Sequence, residues 1–142
     1  MKLRVIVLDM DEDIRDLVTI IAKNKGHEVV ALPEPIVCPL YSDLDCCCSQ
    51  DSACGDVMII SNRMAKMSGL KLIKKQLDGG CKGAVQNKLV LSTSTRKSRE
   101  FSFANQLGCK VLMKPFKVSE ITSWIDECEK RIDPKRKLAD LS

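Results

Sequence analysis

Five short runs rich in aliphatic and β-branched residues, at 2–8, 27–32, 56–60, 88–92 and 110–113, constrain this chain more than any other feature. They are strand-length, and all but one of the gaps between them carry helical spacing. Helices are predicted over 12–24, 69–77, 99–107 and 119–131. Asp11, Glu12 and Asp13 place acids where a helix dipole favours them, and Ser119 before Glu120 is a plausible N-cap. Gly26, the Gly79-Gly80 pair and Gly108 end helices. Strands alternating with helices require right-handed crossovers, hence a mostly parallel sheet covered on both faces. The natural solution at this length is a doubly wound, flavodoxin-like three-layer α/β sandwich, with a five-stranded parallel sheet in the order 2-1-3-4-5. Functional groups are then expected at the carboxyl ends of the strands.

The exception is the stretch 33–55. It holds Pro33, Pro35, Pro39 and the Cys46-Cys47-Cys48 triplet but no helical period, so an irregular cysteine-rich segment is expected to replace or distort the second helix. With 142 residues there is room for one core, and the reading is one domain over 1–132 followed by a basic, mobile tail over 133–142. No apolar run approaches the roughly 18 residues of a membrane span, and the start of the chain lacks a signal-peptide cleavage pattern. A cytoplasmic location away from membranes is expected. The net charge of +4 is spread over solvent faces, and aromatic residues make up only 4%, so a nucleic-acid surface is not expected. His27, the single histidine, reads as a surface residue beside a turn.

Four landmarks carry a family resemblance. The segment 7–15, Val-Leu-Asp-Met-Asp-Glu-Asp-Ile-Arg, resembles the first strand and acidic turn of the response-regulator receiver domains of bacterial two-component phosphorelays. Residues 56–70 resemble the third strand and following loop of that family, 91–93 (Leu-Ser-Thr) the end of its fourth strand, and 113–116 (Met-Lys-Pro-Phe) its Lys-Pro-Phe signature. The resemblance spans residues 3–131 apart from 33–55. It implies a signal-transduction module in which an aspartate ending strand three takes a phosphoryl group, with Mg²⁺ held by the acidic turn.

This chain departs from that pattern at two decisive positions. Ser61 stands at the phosphoacceptor position and Met10 at the second acid, after Asp9. A serine without an adjacent base is a poor nucleophile, and a thioether is a poor ligand for a hard cation. Asp11 could substitute as a ligand, yet an acid in the first helical turn has its own structural reason. Ser92 and Lys114 match groups that contact phosphoryl oxygens in the family, although Lys114 could equally pair with Asp9. Val111 falls where many receivers place a switching aromatic. The expectation is a degenerate pseudo-receiver, with Mg²⁺ binding not expected, that works by binding a signalling protein and is not an enzyme. No phosphate-binding Gly-rich loop and no Cys-x₅-Arg motif argues otherwise.

Eight cysteines remain to be explained. Without a secretory signal a disulfide scaffold is the weaker account, leaving metal binding, free structural thiols or a redox switch. Cys54 precedes strand three and Cys81 precedes strand four, so both are expected at the amino end of the sheet, opposite Ser61, Ser92, Lys114 and Asp9. Cys46, Cys48, Cys54 and Cys81 are the candidate ligands for Zn²⁺ or an iron–sulfur cluster, although their spacing is not a familiar zinc pattern. Cys38 reads as lying nearer the exit of strand two, and Cys109 and Cys128 as packing residues.

Overall fold

A computed structural model describes residues 1–36, 38–41, 47–93 and 97–141. Its elements run β1 (Arg4–Leu8), α1 (Glu12–Asn24), β2 (Glu28–Leu32), β3 (Val57–Ser61), α2 (Gly69–Asp78), β4 (Lys88–Ser92), α3 (Lys97–Leu107), β5 (Lys110–Met113) and α4 (Val118–Lys130). All pairings are parallel, and the order is β2-β1-β3-β4-β5. Between β2 and β3 the described residues hold only a 3-10 turn at Pro39–Tyr41.

Period-two alternation divides the core. Val5, Val7, Val57, Ile59, Leu89 and Leu91 face one side, where they meet Val18, Ile21 and Ala22 of α1 and Ile121, Trp124, Ile125 and Cys128 of α4. Leu8, Met58, Ile60 and Val90 face the other, against Leu70 and Ile73 of α2, Ala104 and Leu107 of α3, and Leu40 and Tyr41 of the connection. Those helix residues recur at spacings of three and four, which is why the helices dock with one apolar stripe. All of β3 and β4 is buried.

Local capping sets where helices begin. The Asp11 carboxylate accepts hydrogen bonds from the backbone N–H groups of Asp13 and Ile14, starting α1. Ser68 does the same for Lys71 at α2. Gly69 opens α2 so close to β3 that a Cβ there would stand 2.7 Å from the Ser61 carbonyl oxygen. The last helix starts earlier than expected: Lys117, not Ser119, is its N-cap, and the Glu120 side chain accepts from the Lys117 N–H at 2.9 Å. The carboxylate three residues on, rather than a serine, supplies the cap.

Two expectations are corrected here. The tail does not hang free. Arg136 makes a bidentate pair with the buried Asp56 at 2.7 Å on each oxygen, and Ala139 bonds to the Ala53 carbonyl at 2.8 Å. Arg4 donates to the Ala139 carbonyl at 2.7 Å, so the segment lies across the amino ends of β1 and β3. A run of basic residues looked solvated because its carboxylate partner lies 80 residues away in sequence.

His27 is not at the surface: it is 6% exposed, and its Nδ1 accepts the Leu3 N–H at 3.2 Å. Burial, partly opposed by Glu129, lowers its pKa below the ordinary 6.5. The unfolded chain therefore binds the proton better. The neutral ring contributes stability that is complete above about pH 6.5 and is lost as the pH falls through the lower folded value. Denaturant midpoints measured between about pH 7.5 and 5 should fall more steeply for the native chain than for His27→Gln, whose amide oxygen accepts the same bond without titrating.

Candidate functional site

The carboxyl ends of β1, β3 and β5 converge on an open cleft of about 680 Å³ bordered by Asp9, Met10, Asp11, Ser61, Thr93 and Lys114. Backbone hydrogen bonds pin the loops that carry these side chains. Asp9 N–H donates to the Leu32 carbonyl at 3.2 Å, Lys114 N–H to Ser92 at 2.8 Å and Asn62 N–H to Leu91 at 2.8 Å. The Lys114-Pro115 peptide is cis.

Asp9 and Lys114 within the cleft are spent on one another. Lys114 Nζ lies 3.0 Å from Asp9 Oδ2, and Asp9 Oδ1 accepts the Asp11 N–H at 2.9 Å. Both carboxylate oxygens of Asp9 are thus engaged, in a residue that is 3% exposed. Asp11 directs its carboxylate to the start of α1. Met10 projects outward at 51% exposure. Ser61 is 2% exposed, and its Oγ accepts the Arg63 N–H at 3.2 Å.

Such a set does not fit a Mg²⁺ ion. That cation asks for near-octahedral oxygen ligands and usually takes one or two carboxylates. Here one carboxylate is held by an ammonium, the other caps a helix, and the third position offers a neutral hydroxyl.

Ser92 is turned away from the cleft's centre. Its hydroxyl donates to Glu100, 2.7 and 3.0 Å from the two carboxylate oxygens, and Asn62 Nδ2 donates to the same carboxylate at 2.7 Å. Asn62 Oδ1 in turn accepts the Leu70 N–H at 3.1 Å, tying β4, α3 and the start of α2 together. The structure therefore brings Asp9, Met10, Asp11, Ser61 and Lys114 together and places Ser92 at their margin, in a neighbouring hollow shared with Ser61. Thr93, Glu100 and Arg63 were missed from sequence. Alternation along β4 puts Ser92 on the same face as Val90, toward α3, which is the signal that could have found Glu100.

Neither protein-family models nor curated protein sequences match this chain. Solved structures do. The receiver domain of the Francisella response regulator 1452 superposes with a TM-score of 0.71 at 18% identity, over 92% of this chain and 98% of that one. The signal receiver domain of NarL from Mycobacterium tuberculosis gives 0.69 at 21% identity, over 91% and 97%. The chemotaxis response regulator CheY4 of Vibrio cholerae gives 0.62 at 18% identity, over 90% and 99%. The fold is that of a response-regulator receiver domain.

At the other end of this receiver fold, Cys38, Cys48, Cys54 and Cys81 line a second cavity, of about 100 Å³. Cys54 and Cys81, which precede β3 and β4, both line it. Cys38 joins them, contrary to expectation. The chain leaving β2 turns back through Pro39–Tyr41, with the Cys38 N–H bonded to Pro35 and its carbonyl to Tyr41. Cys46 lies outside the described residues. Among the described residues no three His, Cys, Asp or Glu side chains stand where they could together hold a metal ion. Cys109 and Cys128 are core residues, and burial pushes the Cys128 thiol up to about 11.

The Asp9–Lys114 pair is the energetic centre of the carboxyl-end cleft. Removing one partner of a buried pair typically costs about 3–5 kcal/mol, because the survivor is left charged and unpaired. Lys114→Met should therefore lower the unfolding free energy by roughly that amount. Adding Asp9→Asn, which keeps an acceptor for the Asp11 N–H, should recover most of the loss in chemical denaturation.

Proposed function

We propose that this chain is a receiver-like signalling module that acts by protein–protein contact and takes no phosphoryl group on an aspartate. The observation that carries this reading is Ser61, buried at the end of β3 with its hydroxyl held by the Arg63 N–H. No base adjoins it among the described residues, and a serine hydroxyl needs one to attack phosphorus. With Asp9 bound to Lys114, that lysine is not free to meet an incoming phosphoryl oxygen. The fold supports the signalling class, and the degenerate cleft supports independence from phosphorylation. On this reading the chain is not an enzyme and works in the cytoplasm without a nucleic-acid partner. No helix among the described residues is long and apolar enough to cross a membrane.

The contact surface on this reading is the last strand and the helices beside it. Pro115 is exposed in the turn after β5, and Val118, the first residue of α4, is an apolar side chain with 52% of its surface in solvent. The signalling partner is a protein that reads this face in a fixed conformation.

Incubation with Mg²⁺ and a small phosphodonor such as acetyl phosphate should leave the intact mass unchanged. An adduct mapped to Asp9 or Asp11 would overturn the reading, and an acid-stable adduct on Ser61 would replace it with hydroxyl chemistry. Ser61→Asp alone should not create strong Mg²⁺ binding, because Met10 still leaves the acidic turn one ligand short. Met10→Asp combined with Ser61→Asp should bind more tightly in a Mg²⁺ titration. Equal, tight binding by both variants would mean that Asp9 and Asp11 suffice.

A further inference from the structure

We infer that the cavity at the amino end of the sheet binds a small aliphatic monocarboxylate, its head group on Lys88 and Gln76 and its tail among the apolar walls. The inference is independent of the function argued above, since it uses none of the carboxyl-end residues.

Pro33, Pro35 and Pro39 deny the connection after β2 a helical start, and the described part of it covers the sheet with a 3-10 turn only. The space beside that turn measures about 100 Å³. Ile6, Leu8, Val30, Leu32, Leu40 and Met58 give it a largely apolar wall, and Leu141 of the docked tail borders it too. An apolar cavity of roughly 150 Å³ takes benzene, so about 100 Å³ suits an aliphatic chain of about four carbons.

Two buried donors stand in this wall with poor acceptors. Lys88 and Gln76 are each 5% exposed, and both border the cavity. Lys88 Nζ donates to Gln76 Oε1 at 2.7 Å and lies 3.5 Å from Cys81 Sγ. Among the described residues, Gln76 Nε2 has only sulfur to donate to, Cys38 Sγ at 3.7 Å and Met58 Sδ at 4.0 Å. Thiol and thioether sulfurs are weak acceptors. No carboxylate among the described residues pairs with Lys88, and a buried ammonium is costly unless it meets negative charge. Because Nε2 shares its amide with the oxygen that holds Nζ, the two donors lie close enough to serve the two oxygens of one carboxylate. A few convergent polar groups in an apolar cavity are the ordinary make-up of a small-molecule site.

The charges select the ligand class. Asp56 also borders the cavity, but Arg136 and the Arg4 N–H occupy its oxygens, so it does not oppose an anion. One ammonium matches one carboxylate, whereas phosphate would carry uncompensated charge against apolar walls. Binding exchanges sulfur acceptors for a charged oxygen, and charge-assisted hydrogen bonds are the stronger kind. A neutral molecule of the same shape gains the apolar contacts but not that exchange.

The test is a methyl NMR titration of the full, reduced chain with sodium butanoate near neutral pH, beside butan-1-ol, butanamide and inorganic phosphate. Butanoate should bind saturably, one per chain, with intermolecular NOEs to the methyl groups of Val30, Leu32 and Met58. The alcohol and the amide should bind about ten-fold more weakly or worse, and phosphate should leave these methyl groups unmoved. Lys88→Met should lose about ten-fold or more of the butanoate affinity while still admitting butan-1-ol, which separates lost charge recognition from a collapsed cavity. Where that variant fails to fold, the wild-type comparison of butanoate with butan-1-ol decides. No saturable binding up to about 20 mM, where a ligand of this size would register, equal affinity for butan-1-ol, NOEs confined to residues elsewhere, or unchanged butanoate binding by Lys88→Met would overturn the inference. Failure here leaves the phosphodonor result untouched, so the two readings stand or fall separately.

Discussion

A sheet of five parallel strands has no side that water can cover, and everything else in this chain follows from the need to bury both of its faces. One face is closed by α1 and α4 through a continuous aliphatic layer centred on Ile121 and Ile125. The other receives α2 and α3 and, among the described residues, no α-helix from the connection between β2 and β3. There Leu40 and Tyr41 are buried in place of a helical stripe, and Tyr41 accepts the Lys66 N–H at 3.2 Å with its hydroxyl. A short 3-10 turn cannot cover the width that a helix covers. The remaining space is the cysteine-lined cavity.

Charge is handled by one rule at both ends of the sheet, with one exception. Asp9 and Asp56 are buried carboxylates, and each is matched by a cation from far along the chain, Lys114 and Arg136. Buried charges persist only when paired and hydrogen-bonded. At the carboxyl end the pair leaves a cleft whose Lys114 is already engaged, and at the amino end it fastens the C-terminal segment over the sheet. Lys88 departs from the rule, for its partners are an amide oxygen and a thiol. A pair made within the chain closes off binding chemistry, whereas an ammonium with only neutral partners leaves it open.

The sheet order and its helices were readable because buried parallel strands and amphipathic helices each impose a period on sequence, and β4, β5 and α1 match their expected bounds. The departures at Met10 and Ser61 were readable too, since a change of residue type at a known position needs no geometry. What could not be read was contact between distant segments. Nothing local marks His27 as the acceptor for Leu3, Arg136 as the clamp on Asp56, or Glu100 as the partner of Ser92. Cys38 was misplaced for a related reason: in a segment without periodicity, sequence distance from a strand says little about where the chain turns. The Ser119 cap failed because a carboxylate reaching back from Glu120 served Lys117 better.

The cleft and the thiol cavity lie at opposite ends of strands whose five residues span about 17 Å, so neither can touch the other's chemistry. The strands between them are poor carriers of a signal. β3 and β4 are hydrogen-bonded on both edges and buried on both faces, and close-packed interiors resist small displacements. The helix α2 is placed differently. Its first turn takes a hydrogen bond from Leu70 to Asn62 and abuts the Ser61 carbonyl at Gly69, while its last turn presents Gln76 to Cys38 and the following Gly79 holds Cys48. It has both ends on the two sites and rests on the sheet along one face only. α2 is thus the element that touches the Asn62–Glu100–Ser92 network at one end and the thiol cavity at the other.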